Sequence, residues 1–328
     1  MSRRDAAAPT LTTGGPTRGA DEPGLPGRGS QPEPLHGWRV TLPGGLLRTA
    51  RPKQWLKNLL VFAAPGAAGV LSEARPLARA SLAFVVFCIT AAGVYFLNDA
   101  IDVEADRRHP KKYNRPIAAG VVGVRLAEVL GGLLILGGVG LSTVLGWKMV
   151  VVMAVYVAVQ FAYSLYLRHE AILDLAAVAT GFVLRAIAGG VATGVPISQW
   201  FLIVAMFGSL FVVTGKRSAE HSALGADRAA HRPTLARYSL PFLRYVLALT
   251  STVAVTAYCL WAFESQKAAK GGIWFQLSIV PFGLAVLRYA FLLDQGQGGS
   301  PEDVVLGDRA LQLLGLAWVV IFALGVYG

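Results

Sequence analysis

The order of apolar and polar positions is the first guide to how this chain folds. Eight stretches, 77–97, 126–145, 149–167, 171–194, 200–214, 242–263, 273–293 and 311–327, are mostly apolar. A bilayer core about 30 Å thick needs about 20 mostly apolar residues per helix, so these stretches predict membrane spans. An earlier stretch, 55–71, is shorter and carries Lys57, and it makes an uncertain first span. The expectation is an all-α fold, a polytopic membrane helical bundle of about nine transmembrane helices. The connections are unequal: 98–120 and 216–241 are long and polar, whereas 195–199 is short. Functional residues concentrate on loops held by a rigid scaffold, which directs the search for chemistry to the long-loop side.

Composition agrees with a membrane protein. Only 15% of residues are charged and 54% are hydrophobic, against about 25% charged in an average soluble domain. The formal charge of +11 would suit either nucleic acid or a membrane surface, so its distribution decides. Five basic residues lie in the first 39 residues, 18 flank the long-loop side, and five (Arg75, Arg79, Lys148, Lys267 and Lys270) flank the other. By the positive-inside rule the rich side is cytoplasmic. That places the N-terminus inside a plasma (inner) membrane, puts the candidate chemistry on its cytoplasmic face, and makes the lipid bilayer rather than nucleic acid the partner. Residues 1–43 hold seven of the 17 prolines and no continuous apolar run. Residues 1–45 therefore read as a disordered cytoplasmic tail and 46–328 as one membrane domain. Cys88 and Cys259 each sit in an apolar run and suit neither a metal site nor a disulfide framework.

The first polar constellation closes an apolar helix in GVYFLNDAIDVEADRRHPKKYNRPIAAG. A continuing helix would present Asn98, Asp99, Asp102 and Asp106 on one face, since they are three or four residues apart. Like charges so arranged repel and lose solvation at a membrane mouth, so a cation belongs among them. Mg²⁺ favours oxygen ligands and typically binds through one or two carboxylates together with substrate phosphates. Glu104 points off this face. The basic stretch that follows, with Lys111 and Arg115, is kept out of the helix by Pro110 and Pro116 and can fold over an anionic ligand as a lid.

A second constellation, YSLYLRHEAILD, places Glu170 and Asp174 four apart with Tyr163 and Arg168 nearby. Asp174 stands within apolar sequence and is a candidate second metal or phosphate contact, whereas Glu170 is either a ligand or a surface charge. Arg185 lies inside the following span, where cost makes a functional or paired role the default. Lys57 in RPKQWLKN is either a phosphate ligand or a snorkelling lysine. Lys216 and Arg217 in TGKRSAEH could hold a phosphate or anchor the helix end.

Together these residues resemble the UbiA-type intramembrane prenyltransferase superfamily, over nearly the whole chain from about Arg48. Its members have nine helices, an NDxxDxxxD motif after the second and an acidic motif after the fourth. Asn98, Asp99, Asp102 and Asp106 match the first motif fully, while the second departs from DxxxD by opening on Glu170. The resemblance implies that Asp99, Asp102, Asp106 and Asp174 are catalytic, holding Mg²⁺ with Asn98. It further implies that Lys57, Lys111, Arg115, Tyr163, Arg168, Arg185 and Lys216, with Asn98, hold substrate phosphates. The finer wording RPKQWLKNLLVFAAP, NDAIDVEADRRHPKKYNRPIAAG, RAIAGG and GKR is similar to one branch of actinobacterial cell-wall arabinan synthesis. That branch transfers 5-phosphoribose from phosphoribosyl diphosphate to decaprenyl (polyprenyl) phosphate. Two other readings stay open: prenyl transfer from a polyprenyl diphosphate to an aromatic or haem-type acceptor, and a cation-coupled transporter or lipid flippase. Lipid length, metal count and oligomeric state, a homo-oligomer included, are not fixed by the sequence.

Overall fold

The structure, a computed structural model, describes residues 41–109, 112–224, 233–268, 273–297 and 301–328. Every regular element among these residues is helical. The tail expected for 1–45 falls outside them up to residue 40, and the first helix, α1, occupies Leu42–Ala50. Arg51 ends α1 in a left-handed conformation, φ 53°, and Pro52 then opens a 3₁₀ helix, Pro52–Phe62, which runs into α2, Ala63–Ala67.

Eight helical stretches are long and apolar enough to cross a membrane. In chain order they lie on α3 (Ala74–Ile101), α5 (Val124–Ser142, extended by a 3₁₀ turn), α6 (Trp147–Leu165), α7 (Leu173–Thr193) and α8 (Gln199–Leu224). Beyond a short α9 (Pro233–Arg237) follow α10 (Leu240–Ala268), the pair α11 (Trp274–Leu277) and α12 (Ile279–Asp294), and, after α13 (Pro301–Gly307), α14 (Arg309–Tyr327). The stretch expected as a ninth α-helix is the 3₁₀ and α2 run instead. Eleven residues rising about 2.0 Å each and five rising about 1.5 Å each reach about 30 Å, close to the hydrocarbon thickness.

In α3 and α7, 61% of the spanning window is buried, against 28% or less in the other six spans. A helix apolar on all sides belongs inside a bundle, and these two central helices carry Asp99, Asp174 and Arg185. Val61, Phe87, Met149, Tyr156 and Leu184 form the core between them and their neighbours. Close approach here requires glycine: a Cβ on Gly189 of α7 would lie 1.9 Å from the Val61 carbonyl oxygen of the 3₁₀ helix. At the far end, Arg79 donates to the carbonyls of Ala192 and Leu145, satisfying helix-end acceptors that otherwise lack partners. Asp308 caps α14 by accepting from the Leu311 amide, and Arg288 of α12 bonds the same carboxylate at 2.7 Å. The Arg288 guanidinium, and then the Leu311 amide, hold the Asp308 carboxyl below its usual range.

Candidate active site

The first acidic segment does not form one uninterrupted helix. Asp102 sits at φ −85°, ψ 5°, between α3 and a short α4, Val103–Arg108. The i→i−4 bonds nevertheless pass through it, from the Asp102 amide to the Asn98 carbonyl and from the Asp106 amide to the Asp102 carbonyl, so the spacing of the acids survives the break. Asp99 and Asp106 are buried, and Asp102 is partly open. Glu104 is exposed and pairs with Arg107.

Arginines from three separate segments meet these acids. Arg115 Nη1 donates to Asp99 Oδ1 at 3.0 Å and to Asp106 Oδ2 at 2.6 Å, so two carboxylates converge on one nitrogen. Arg51 Nη2 reaches the same Asp99 oxygen at 2.5 Å while its guanidinium lies 4.8 Å over the Tyr95 ring. Arg168, in the turn after α6, forks onto both oxygens of Asp102 at 3.1–3.3 Å. Ser164, on the last turn of α6, donates to Asn98 Oδ1 at 2.8 Å. The segments after α3 and α6 are thereby tied together at one end of the bundle.

Asp174, the candidate second metal or phosphate contact, is held by a hydrogen-bond network of its own. Its side chain is fully buried and accepts from Arg217 Nε at 3.2 Å, from the Tyr238 hydroxyl and from Thr234. The Tyr238 hydroxyl also accepts the amide of Ile172, a β-branched residue at φ 70° and a genuine backbone outlier. Burial first, and then the bond to Asp174, push the Tyr238 phenol well above its ordinary value. The Glu170 carboxylate stays exposed on Arg237 at 3.1 Å, while its backbone carbonyl accepts the Asp174 amide.

The remaining candidates divide. Arg185 points into the bundle: its Nε donates to Asn58 Oδ1 at 2.7 Å, Nη1 to the Gly181 carbonyl at 2.5 Å and Nη2 to the Tyr156 hydroxyl at 3.2 Å. Those bonds, with the rings of Phe87, Tyr156 and Phe182 around it, hold the buried guanidinium inside the bundle. Lys57 is half-buried on the 3₁₀ helix and donates to Gln54 Oε1 at 2.5 Å. Tyr163 is half-buried within electrostatic reach of Arg217. Lys216 is half-buried, while its neighbour Arg217 takes the buried position on Asp174. Lys111 lies outside the described residues. Sequence reasoning missed Arg51, Ser164, Thr234 and Tyr238; only Arg51 carried a local signal, as a cation before a proline that opens an apolar segment.

No three acidic, histidine or cysteine side chains converge on one point among the described residues. Two do: Arg115 Nη1 marks where a cation contacts Asp99 and Asp106 together, and hard carboxylate oxygens suit a divalent ion that also takes phosphate. The Asp99 and Asp106 carboxylates therefore fit Mg²⁺. Deeper in the bundle lies an apolar cavity of about 1010 Å³, walled by Leu59 and Leu60 of the 3₁₀ helix, Phe182, Tyr258, Trp261 and Trp318 among others. The Lys57-bearing 3₁₀ helix thus continues directly into its wall.

The sequence profile of the UbiA prenyltransferase family matches residues 59–326. The chain is 46% identical over 306 residues to the decaprenyl-phosphate phosphoribosyltransferase of Mycolicibacterium smegmatis, covering 90% of this chain and 96% of that one. It is also 46% identical to the enzyme of the same name from Corynebacterium glutamicum, covering 87% and 88%. In fold it is similar to a UbiA homologue from Archaeoglobus fulgidus bound to GPP and Mg²⁺, with a TM-score of 0.64, 20% identity, and 86% and 98% of the two chains covered.

Proposed function

Because the chain belongs to the UbiA prenyltransferase family, we propose that it transfers 5-phosphoribose from phosphoribosyl diphosphate to decaprenyl or a similar polyprenyl phosphate. The products are decaprenylphosphoryl-5-phosphoribose and pyrophosphate, a precursor step for cell-wall arabinan. The observation that carries this reading is the likeness, nearly end to end, to relatives named for that reaction. The geometry accords with it: the bundle holds both a polar cluster of acids and arginines and an apolar cavity suited to an isoprenoid chain.

In the reaction, the bond from the anomeric carbon to the diphosphate breaks as a lipid phosphate oxygen bonds that carbon from the opposite face. The acceptor is already an anion, so no strong general base is required. Asp99 and Asp106, with Asp102 and Asn98 beside them, would hold Mg²⁺, which neutralises charge developing on the leaving pyrophosphate. Arg115 and Arg168 turn their guanidinium forks to the diphosphate oxygens, a geometry arginine matches bidentately. Lys57, at the edge of the cavity, meets the lipid phosphate. Asp174, closed in by Arg217 and Tyr238, fixes the start of α7 and so the turn that carries Arg168. The bias of basic residues to the long-loop side supports a cytoplasm-facing site in the plasma membrane with the N-terminus inside.

The test is to incubate the purified protein with Mg²⁺, decaprenyl phosphate and phosphoribosyl diphosphate labelled in the ribose. Labelled lipid is expected. Its absence, with transfer from a labelled prenyl diphosphate to an aromatic acceptor instead, would replace this reading.

A further inference from the structure

A second, smaller pocket of about 190 Å³ opens beside the acidic cluster, lined by Arg48, Arg51, Asp99, Asn114, Arg115 and Pro116. Three guanidinium groups face one carboxylate there, and even with Asp106 on Arg115 the positive charge is in excess. Arg48 is exposed and makes no ion pair among the described residues. Arg51 is held at a left-handed backbone angle, stacked over Tyr95 and bonded to Asp99, so its remaining donors are fixed in direction. Non-glycine residues in that conformation cluster at active sites and ligand clamps. Arg51, fixed by those contacts, with Arg48 beside it, sets guanidinium donors around a small polar volume that suits phosphate oxygens.

We propose that this pocket receives a phosphate monoester, namely the 5-phosphate of the sugar donor, and so selects a donor carrying a phosphate beyond its diphosphate. The assignment rests on the phosphoribosyl reading above. Asp99 borders the pocket and is also one of the two carboxylates that meet at Arg115, which makes the pocket and the metal position neighbours on one molecule. A lipid phosphate is the other source of the same chemistry. The pocket shares no residue with the large apolar cavity, and Pro116 is its one apolar lining residue, so an isoprenoid chain would find no adjoining wall.

The decisive measurement is binding of ribose 5-phosphate to the full chain in detergent with EDTA present, read by calorimetry for wild type, Arg48→Gln and Arg51→Lys. Saturable binding by the wild type is expected, weakened about tenfold in each variant, the effect of losing a hydrogen bond to a charged group. No binding by the wild type, or equal binding by all three, overturns the proposal. A kinetic arm compares phosphoribosyl diphosphate with ribose 1-diphosphate. Arg48→Gln should raise KM about tenfold for the first donor and leave KM for the second and for the lipid phosphate unmoved. A shift in the lipid KM instead assigns the pocket to the lipid headgroup and refutes the proposal. If ribose 5-phosphate binds as expected but the wild type transfers nothing from phosphoribosyl diphosphate, the proposed function fails while the pocket stands.

Discussion

Arg217→Met tests whether Asp174 is an anchored structural anion. In the native arrangement Arg217 and Asp174 side chains are 4% and 0% exposed, with Nε and Oδ2 3.2 Å apart. Removing the guanidinium leaves a carboxylate that water does not reach, still held by the Tyr238 hydroxyl and more distantly by Thr234. Losing one partner of a buried pair costs about 3–5 kcal/mol, and the remaining hydroxyls place the effect toward the lower end. At roughly 2 °C per kcal/mol for a chain of this size, the apparent Tm should fall by about 6–8 °C. Arg217→Met combined with Asp174→Leu removes both charges and should regain most of the loss, because replacing a buried ion pair by apolar groups is often neutral. The assay is size-exclusion recovery of the detergent-purified protein after graded heating. A single variant within about 2 °C of wild type, or a double variant no more stable than the single, would show that Asp174 does not depend on Arg217.

Three further outcomes follow from the same geometry. Asp102→Ala and Asp106→Ala should each cut Mg²⁺-supported turnover at least about a hundredfold while the protein still inserts and elutes normally; turnover near wild type removes them from the metal assignment. Tyr238 keeps its proton in the folded state beyond the ordinary tyrosine pKa of about 10. Its contribution is therefore complete below about pH 10 and is lost as pH rises toward the folded value, since the unfolded chain releases that proton first; Tyr238→Phe should flatten the decline in Tm above pH 10, and an unchanged profile contradicts the linkage. Gly189→Ala drives a methyl into the Val61 carbonyl and should cost about 1–3 kcal/mol or more, whereas Gly132→Ala, with no atom within 4 Å of the new carbon, should melt like wild type.

Much of the fold was legible because a membrane span is long and apolar and needs no tertiary information to be seen. What escaped was winding. Periodicity rules assume 3.6 residues per turn, and the Pro52–Phe62 segment uses the tighter 3₁₀ path. In the site, the acids were legible for the same local reason, since Asn98, Asp99, Asp102 and Asp106 keep their spacing through the helix break. Their partners were not. Arg51 reaches Asp99 across 48 positions, Arg168 reaches Asp102 across 66, and Tyr238 reaches Asp174 across 64. No short-range pattern encodes contacts of that kind; only tertiary packing of distant segments brings them about.

Arg185 shows how a charge can be held inside a span. A charge inside a span is costly, so it is read first as functional or paired with an acid. Here no carboxylate meets it among the described residues; an amide oxygen, a helix carbonyl and a phenol take its donors, and three aromatic rings surround its face. Charge-assisted bonds to neutral acceptors are roughly twice as strong as neutral ones, and desolvated cation–π contacts contribute about 2 kcal/mol or more. An arginine can therefore be accommodated in the core without a counter-ion when several such acceptors converge. Asn58, its amide partner, belongs to the 3₁₀ helix, and the residue before it is Lys57. By these bonds Arg185 clamps the 3₁₀ helix that carries Asn58 and Lys57 against α7.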